Sequence, residues 1–311
     1  MQAAVTSLAT RPRAANRILA VTGVRPSECV IVVFLVYAAI IGRVLPIAPA
    51  LQTRTAVVNL AILIGYGLLI SADAVRPRMI TSIVRDWLPL PLILLAYREV
   101  GWFALPHPGH ELEMRWVAWD HTFLRGGGKA VIESLGPVLP SILEISYALV
   151  YALAPFCLAV LYISGRRNDA DRFMIVFATA VLLTYAQIPL WPSEPPRSVF
   201  PCEDMPAYLT LFRRFNLWTL ANCGIHTGVF PSAHVAGAFS VAFGMQRTTA
   251  KPRWLHPLLF TMATLIALAT VYGRYHYLAD AVAGLFIAIL AVAFSYLFVP
   301  AATAGSRPTG S

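Results

Sequence analysis

The sequence predicts an all-α fold: a polytopic transmembrane bundle of about eight helices, with a six-helix core behind an N-terminal extension. Three observations lead there. Of 311 residues, 58% are hydrophobic and only 13% are charged, against roughly a quarter charged in an ordinary soluble domain. Apolar runs of about 20 residues, enough to cross ~30 Å of hydrocarbon as helices, recur from Cys29 to Val299. The cations fall in short clusters between these runs, not along one face among aromatics. The net charge of +9 therefore reads as membrane topology and excludes a nucleic-acid surface.

The chain opens on a basic segment, residues 1–27, carrying Arg11, Arg13, Arg17 and Arg25. The apolar stretch behind it outruns the roughly 7 to 15 residue core of a cleaved signal peptide, so it reads as a retained first span behind a cytoplasmic N-terminus. Helices are expected at about 28–46, 55–73, 86–105, 140–163, 172–190, 231–246, 256–273 and 276–298. Arg76, Arg78 and Arg85 follow the second, Arg166, Arg167 and Arg172 separate the fourth from the fifth, and Arg247, Lys251 and Arg253 separate the sixth from the seventh. All three clusters lie inside if the N-terminus does. Segments 47–54, 106–139 and 191–230 then lie outside, and the last two are long enough to suggest a task of their own. The chain thus divides into the basic segment, N-terminal helices with a loop (28–139), a core (140–298) and a polar tail (299–311) read as disordered. Both termini are expected in the cytoplasm.

Cys202 and Cys223 share the 191–230 loop, on the side where an oxidising compartment permits a disulfide. Spacing alone leaves a bridge and two separate thiols equally open. Cys29 and Cys157 fall inside spans and read as small apolar fillers.

Three segments at outer helix ends carry the polar residues of interest: Trp191-Pro-Ser-Glu-Pro-Pro-Arg197, Gly228-Val-Phe-Pro-Ser-Ala-His234 and Tyr272-Gly-Arg-Tyr-His276-Tyr-Leu-Ala-Asp280. Ionisable groups at membrane depth are costly and tend to face a cavity or a partner. His276 and Asp280 are four apart, which stacks them on one helix face. A carboxylate on one imidazole nitrogen fixes the tautomer and frees the other nitrogen as nucleophile or base. A His-Asp pair that only joins two helices is the plainer reading. Pro231 suits a first helical position, so Ser232 and the free N–H groups of that turn form a positive end for an anion beside His234. Arg197, stiffened by two prolines, offers a bidentate fork for phosphoryl oxygens, or is a solvated surface arginine. Together they supply what phosphoryl transfer requires.

Those segments resemble the type 2 phosphatidic acid phosphatase superfamily, whose signatures are Lys-x6-Arg-Pro, Pro-Ser-Gly-His and Ser-Arg-x5-His-x3-Asp. The second stands here as Pro231-Ser232-Ala233-His234 and the end of the third as His276-x3-Asp280. The family lysine falls at Leu190, Ser198 follows Arg197 in place of proline, and the Ser-Arg pair falls at Ala269 and Thr270. Arg274 replaces the lost arginine only if the helix breaks near Gly273, since residues two apart on a helix face different ways. The Pro-Pro-Arg loop and the His-Tyr-x2-Asp ending look most like the branch of inositol phosphorylceramide synthases.

The resemblance implies a metal-independent, cofactor-free phosphatase or phosphotransferase of the cell membrane, with its site on the extracytoplasmic face. Its substrate would be a lipid phosphate or phosphodiester in the bilayer, with a hydroxyl acceptor in the transferase case and no nucleic-acid partner. His276 would attack phosphorus with help from Asp280, His234 would serve as acid and then base, and Arg197 and Ser232 would hold the phosphoryl oxygens. Arg98 and Glu99 suit a lipid headgroup or a structural pair, as do Asp120 and Glu144. His226 suits the loop or the substrate entrance. Two rival classes remain: a proton-relay transporter using the His-Asp pair, and a metal site built from His226, His234, His276 and Asp280.

Overall fold

The computed structural model describes residues 23–102, 109–248, 252 and 254–298. Arg11, Arg13, Arg17, Lys251, Arg253 and the C-terminal tail lie outside them. The main helices are α1 (Pro26–Val44), α2 (Pro49–Val75), α3 (Met79–Val100), α4 (Glu111–Phe123), α5 (Val138–Ile163), α6 (Ala170–Gln187), α7 (Leu211–Cys223), α8 (Ala233–Gln246), α9 (Leu255–Tyr272) and α10 (Leu278–Phe298). No strand occurs among the described residues. Each of the eight expected helices is present.

Six of them, α1, α2, α3, α5, α9 and α10, are long and apolar enough to cross a membrane. The other two, α6 and α8, are the central helices. Helix α8 has 14 residues, about 21 Å at the usual rise, and packs on α5, α6, α9 and α10. Helix α6 packs on α1, α3, α8 and α10. Because neighbouring helices rather than lipid cover them, neither needs the length or hydropathy of a lipid-facing span. Helix α8 is rich in small residues, and buried Ala238 and Ala242 meet Leu158, Leu161, Phe173 and Leu259 in one cluster with Cys157. Small side chains let helix backbones approach closely. Helix α3 begins earlier than expected, at Met79, because Pro89 opens a second helical segment, Pro89–Val100, directly after Met79–Trp87. Proline is favoured at that first position.

One end of the bundle is tied by buried ion pairs. Arg85 reaches Glu28 at 2.7 Å and Asp73 at 2.6 Å, while Asp86 takes both Arg25 and Arg167. These cations, legible in the sequence only as topology signals, therefore also join α1, α2 and α3 to the turn before α6. At the other end the two long connections fold. Residues 106–139 contain α4 and the short helix Lys129–Glu133, and residues 191–230 contain the turn Pro196–Val199 and α7. Helix α7 turns Leu211, Phe215 and Trp218 outward and Arg213 and Asn216 inward onto Glu144. Amphipathic helices with outward aromatics suit the headgroup level of a bilayer.

Cys202 and Cys223 are free and exposed, so the bridge considered from the sequence is not formed. The turn after Cys202 is held by Arg125, which binds Asp204 and Glu203, and Cys223 is held through its carbonyl by Arg98. Each segment is braced without a disulfide.

Candidate active site

Helix α9 stops at Tyr272, and Arg274 adopts the left-handed region with φ 58°. The turn is fixed by the Thr270 carbonyl, which accepts from the N–H groups of both Tyr275 and His276 at 2.9 and 3.0 Å. His276 therefore sits in the turn before α10, not on its first turn as the four-residue spacing suggested. The His276–Asp280 contact survives at 3.4 Å, but a nearer group orients the ring. His276 Nδ1 donates to the Val229 carbonyl at 2.9 Å, while Asp280 Oδ2 accepts from the Tyr277 N–H at 2.9 Å and caps α10. The Val229 carbonyl thus holds the nearer bond to the ring, while Asp280 keeps a longer contact with the same nitrogen and fixes the helix start.

Asp280 also joins the two signatures, because its carbonyl accepts from the Ser232 N–H at 3.0 Å. That approach needs Gly284, where a Cβ would lie 2.5 Å from the Ser232 carbonyl oxygen. Ser232 caps α8, its hydroxyl accepting from the Val235 N–H at 3.4 Å. The N–H groups of the first helical turn, at Ala233 and His234, have no helical partner and form the positive end expected there.

His234 completes a directed chain. A carbonyl only accepts, so His276 carries its proton on Nδ1 and presents a lone pair at Nε2. The Nε2 atom lies 3.3 Å from His234 Nδ1, which must then be the donor. His234 Nε2 is left as acceptor for the Tyr151 hydroxyl, also at 3.3 Å. The order runs Tyr151, His234, His276, Val229, with both imidazoles neutral. Burial first, and then His234, push the His276 imidazole well below its ordinary range; Arg197 acts the same way and the Val229 carbonyl opposes. A group depressed in this way stays unprotonated through neutral pH, so its lone pair is available. The 3.3 Å contact leaves no room for phosphorus between the two nitrogens, so a bound phosphoryl group must displace that hydrogen bond. Resting sites often tighten or rearrange in this way on binding.

Arg197 stands beside this pair. Its backbone N–H donates to the Arg274 carbonyl at 3.2 Å, and its guanidinium lies 5.7 Å over the Tyr275 ring, with one long bond to the Tyr275 carbonyl at 3.5 Å. It has no carboxylate partner among the described residues. Burial pushes this guanidinium below its usual value, yet arginine remains charged, so it is an uncompensated cation suited to an incoming anion.

Arg274 is different. The helix break it required exists, but the side chain is fully buried in a salt bridge with Asp120, whose other oxygen accepts from the Leu278 N–H at 2.7 Å. The Arg274–Asp120 pair braces the turn carrying His276 rather than replacing the lost phosphate-binding arginine. Arg98 donates to the Cys223 carbonyl at 2.6 Å and Glu99 is buried against Asn59, so both are structural. Glu144 gathers Arg213, Asn216 and Tyr275, holding α7 and the His276 turn to α5. His226 is exposed and does not join His234 and His276. Among the described residues, the one His, Cys or carboxylate group close enough to share a metal ion is His121, Glu203 and Asp204, where Arg125 already binds both acids. The four ligands considered from the sequence do not converge.

Sequence reasoning missed the aromatic frame. Tyr147 stacks on the His234 ring at 4.7 Å and on Tyr275 at 4.2 Å, and Tyr151 meets the far nitrogen of His234. The signal was present: Tyr147 and Tyr151 are four apart on α5 and so share a face.

The sequence signature of the PAP2 superfamily matches residues 130–294. That range holds every group of the hydrogen-bonded chain from Tyr151 and His234 to His276, and the superfamily is one of phosphatases and phosphotransferases. No curated protein and no solved structure shows significant similarity to the chain. The match extends over more than half of the 311 residues, and the chain belongs to the PAP2 superfamily.

Proposed function

We propose that the protein is an integral membrane phosphatase or phosphotransferase acting on the phosphoester of an amphiphilic lipid, through a covalent phosphohistidine at His276. The observation that carries this reading is the directed histidine pair, His234 Nδ1 to His276 Nε2 at 3.3 Å, beside an arginine that meets no carboxylate among the described residues. A phosphoester bound as its monoanion passes its proton to His234, making the imidazolium. His276 Nε2 then attacks phosphorus, forming a P–N bond as the P–O ester bond breaks, and the leaving oxygen takes that proton back from His234, which returns to neutral. His234 then accepts a proton from water, or from an acceptor hydroxyl, as that oxygen attacks and the P–N bond breaks. Arg197 and the first-turn N–H groups of α8 offset the charge that gathers on the phosphoryl oxygens.

The positive-inside pattern supports an extracytoplasmic site with both termini in the cytoplasm, and the outward aromatics of α7 support a site near headgroup level. The Pro-Pro-Arg and His-Tyr-x2-Asp segments support an inositolphosphotransferase-like acceptor reaction as the finer reading. The test is to incubate purified protein with lipid phosphates and phosphodiesters, with and without an inositol-bearing donor. Release of phosphate or formation of a new lipid, blocked by vanadate and indifferent to chelators, is expected. No turnover of any member of the panel would refute the reading.

Tyr151 fixes the His234 tautomer, so Tyr151→Phe frees the imidazole to place its proton on either nitrogen. The variant is expected to lose roughly tenfold in kcat, a fraction of what a full acid-base group supplies, with KM little changed. Steady-state kinetics that show an altered KM alone would make Tyr151 a binding residue instead.

A further inference from the structure

The His234 end of the site opens into a second space. Helices α3, α5, α6 and α8 line a cavity of about 140 Å³ that is open on one side. His234 lies in its wall, together with Leu94, Tyr151, Pro155, Phe177 and Gly237. Most of the lining is aliphatic or aromatic, and its polar groups are His234 and tyrosine hydroxyls. Leu94 and Tyr151 are 55% and 53% exposed on the outside of the bundle, on two lipid-facing helices. The cavity therefore opens sideways toward hydrocarbon rather than outward toward water.

Two residues keep this space open. Pro155 lies inside α5 and has no N–H to give to the Tyr151 carbonyl four residues earlier, which loosens the helix at the cavity wall. Gly237 lies one turn beyond His234 on α8, and a Cβ there would meet Val181 and Phe177 only at ordinary contact distances of 3.5 and 3.8 Å. Packing does not demand glycine at this position. What the missing side chain provides is room beneath the imidazole.

We infer that this cavity holds one hydrocarbon chain of the lipid, attached through the oxygen that leaves toward His234. This rests on the histidine reading above. In an in-line displacement the attacking and leaving atoms lie on opposite sides of phosphorus. With His276 attacking, the leaving oxygen is on the His234 side, where the cavity begins. A chain borne by that oxygen then enters an apolar space continuous with the bilayer, whereas a polar headgroup on the same oxygen would lose its hydration there. Helix α3 supplies part of the wall and precedes the superfamily match at residues 130–294. The N-terminal extension is thereby a determinant of chain specificity.

The experiment uses the full chain in detergent and a series of n-alkyl phosphates from butyl to hexadecyl. Each methylene buried favours binding roughly fourfold, so kcat/KM is expected to climb with chain length until the cavity is full. Gly237→Leu fills the space below His234 and is expected to lower the hexadecyl-to-butyl ratio at least about tenfold. Thermal stabilisation by hexadecyl phosphate, compared with butyl phosphate, reads binding without turnover and is expected to shrink in the same variant. An unchanged ratio and unchanged stabilisation in Gly237→Leu would overturn the cavity assignment while leaving the histidine chemistry standing. Stabilisation that depends on chain length and on Gly237, without turnover of any alkyl phosphate, would keep the cavity and overturn the chemistry.

Discussion

Replacing His276 with alanine is expected to abolish turnover while leaving the fold intact. The loss should reach on the order of 10⁴-fold or more, the scale on which removal of a covalent nucleophile is felt. The reason is specific to this turn. The His276 ring makes two polar contacts through Nδ1 and one through Nε2, but the turn itself is built from backbone bonds to Thr270 and from the Arg274–Asp120 pair. Those bonds survive in the variant, so a cooperative thermal transition close to that of the parent should accompany the loss. Full activity would remove His276 as nucleophile. The parent should also hold its activity as pH falls below about 6.5, the unperturbed imidazole value, because burial keeps His276 neutral there. A profile that drops at or above that value would contradict the neutral, lone-pair-bearing state.

The second large effect is expected at Arg197. Arg197→Ala removes a cation beside the pair that meets no carboxylate among the described residues, and a single fixed donor to developing negative charge is worth about 10²- to 10³-fold in kcat. Arg197→Lys should recover little, since a point charge does not reproduce a bidentate fork. Arg274 supplies the contrast. Because its charge is matched by Asp120, Arg274→Ala should act on thermal stability by stranding a buried carboxylate. Kinetics and melting curves on both variants separate the two roles. A phosphate-binding loss at Arg274 with none at Arg197 would reverse the assignment.

Much of the architecture was legible in the sequence because membrane spans are the strongest signal a chain carries. All eight helices were placed, and the convergence of residues 234 and 276 followed from their occurrence at the same end of adjacent helices. The errors lie where local geometry overrides periodicity. Treating 276–298 as one helix made Asp280 the orienter of His276. The left-handed Arg274 instead puts the histidine in a turn, and the acceptor becomes the Val229 carbonyl, a backbone group that no sequence motif displays. Arg274 was weighed as a phosphate ligand because nothing in the chain announces that Asp120, 154 positions away, will claim it. Tyr147 and Tyr151 join the site only through the fold, which brings the face of α5 that carries them against His234. The loops 106–139 and 191–230 were recognised as too long to be idle, but their content, α4 and α7, follows from pairing with Glu144 and with the His276 turn.

The central claim is that His276 becomes covalently phosphorylated. Rapid acid-free quenching of protein mixed with a phosphorus-labelled lipid phosphate, followed by peptide mapping under alkaline conditions, tests it most directly. The account expects an acid-labile label on the peptide bearing His276, absent from His276→Ala. Label on another residue, or turnover without any covalent species, would contradict it.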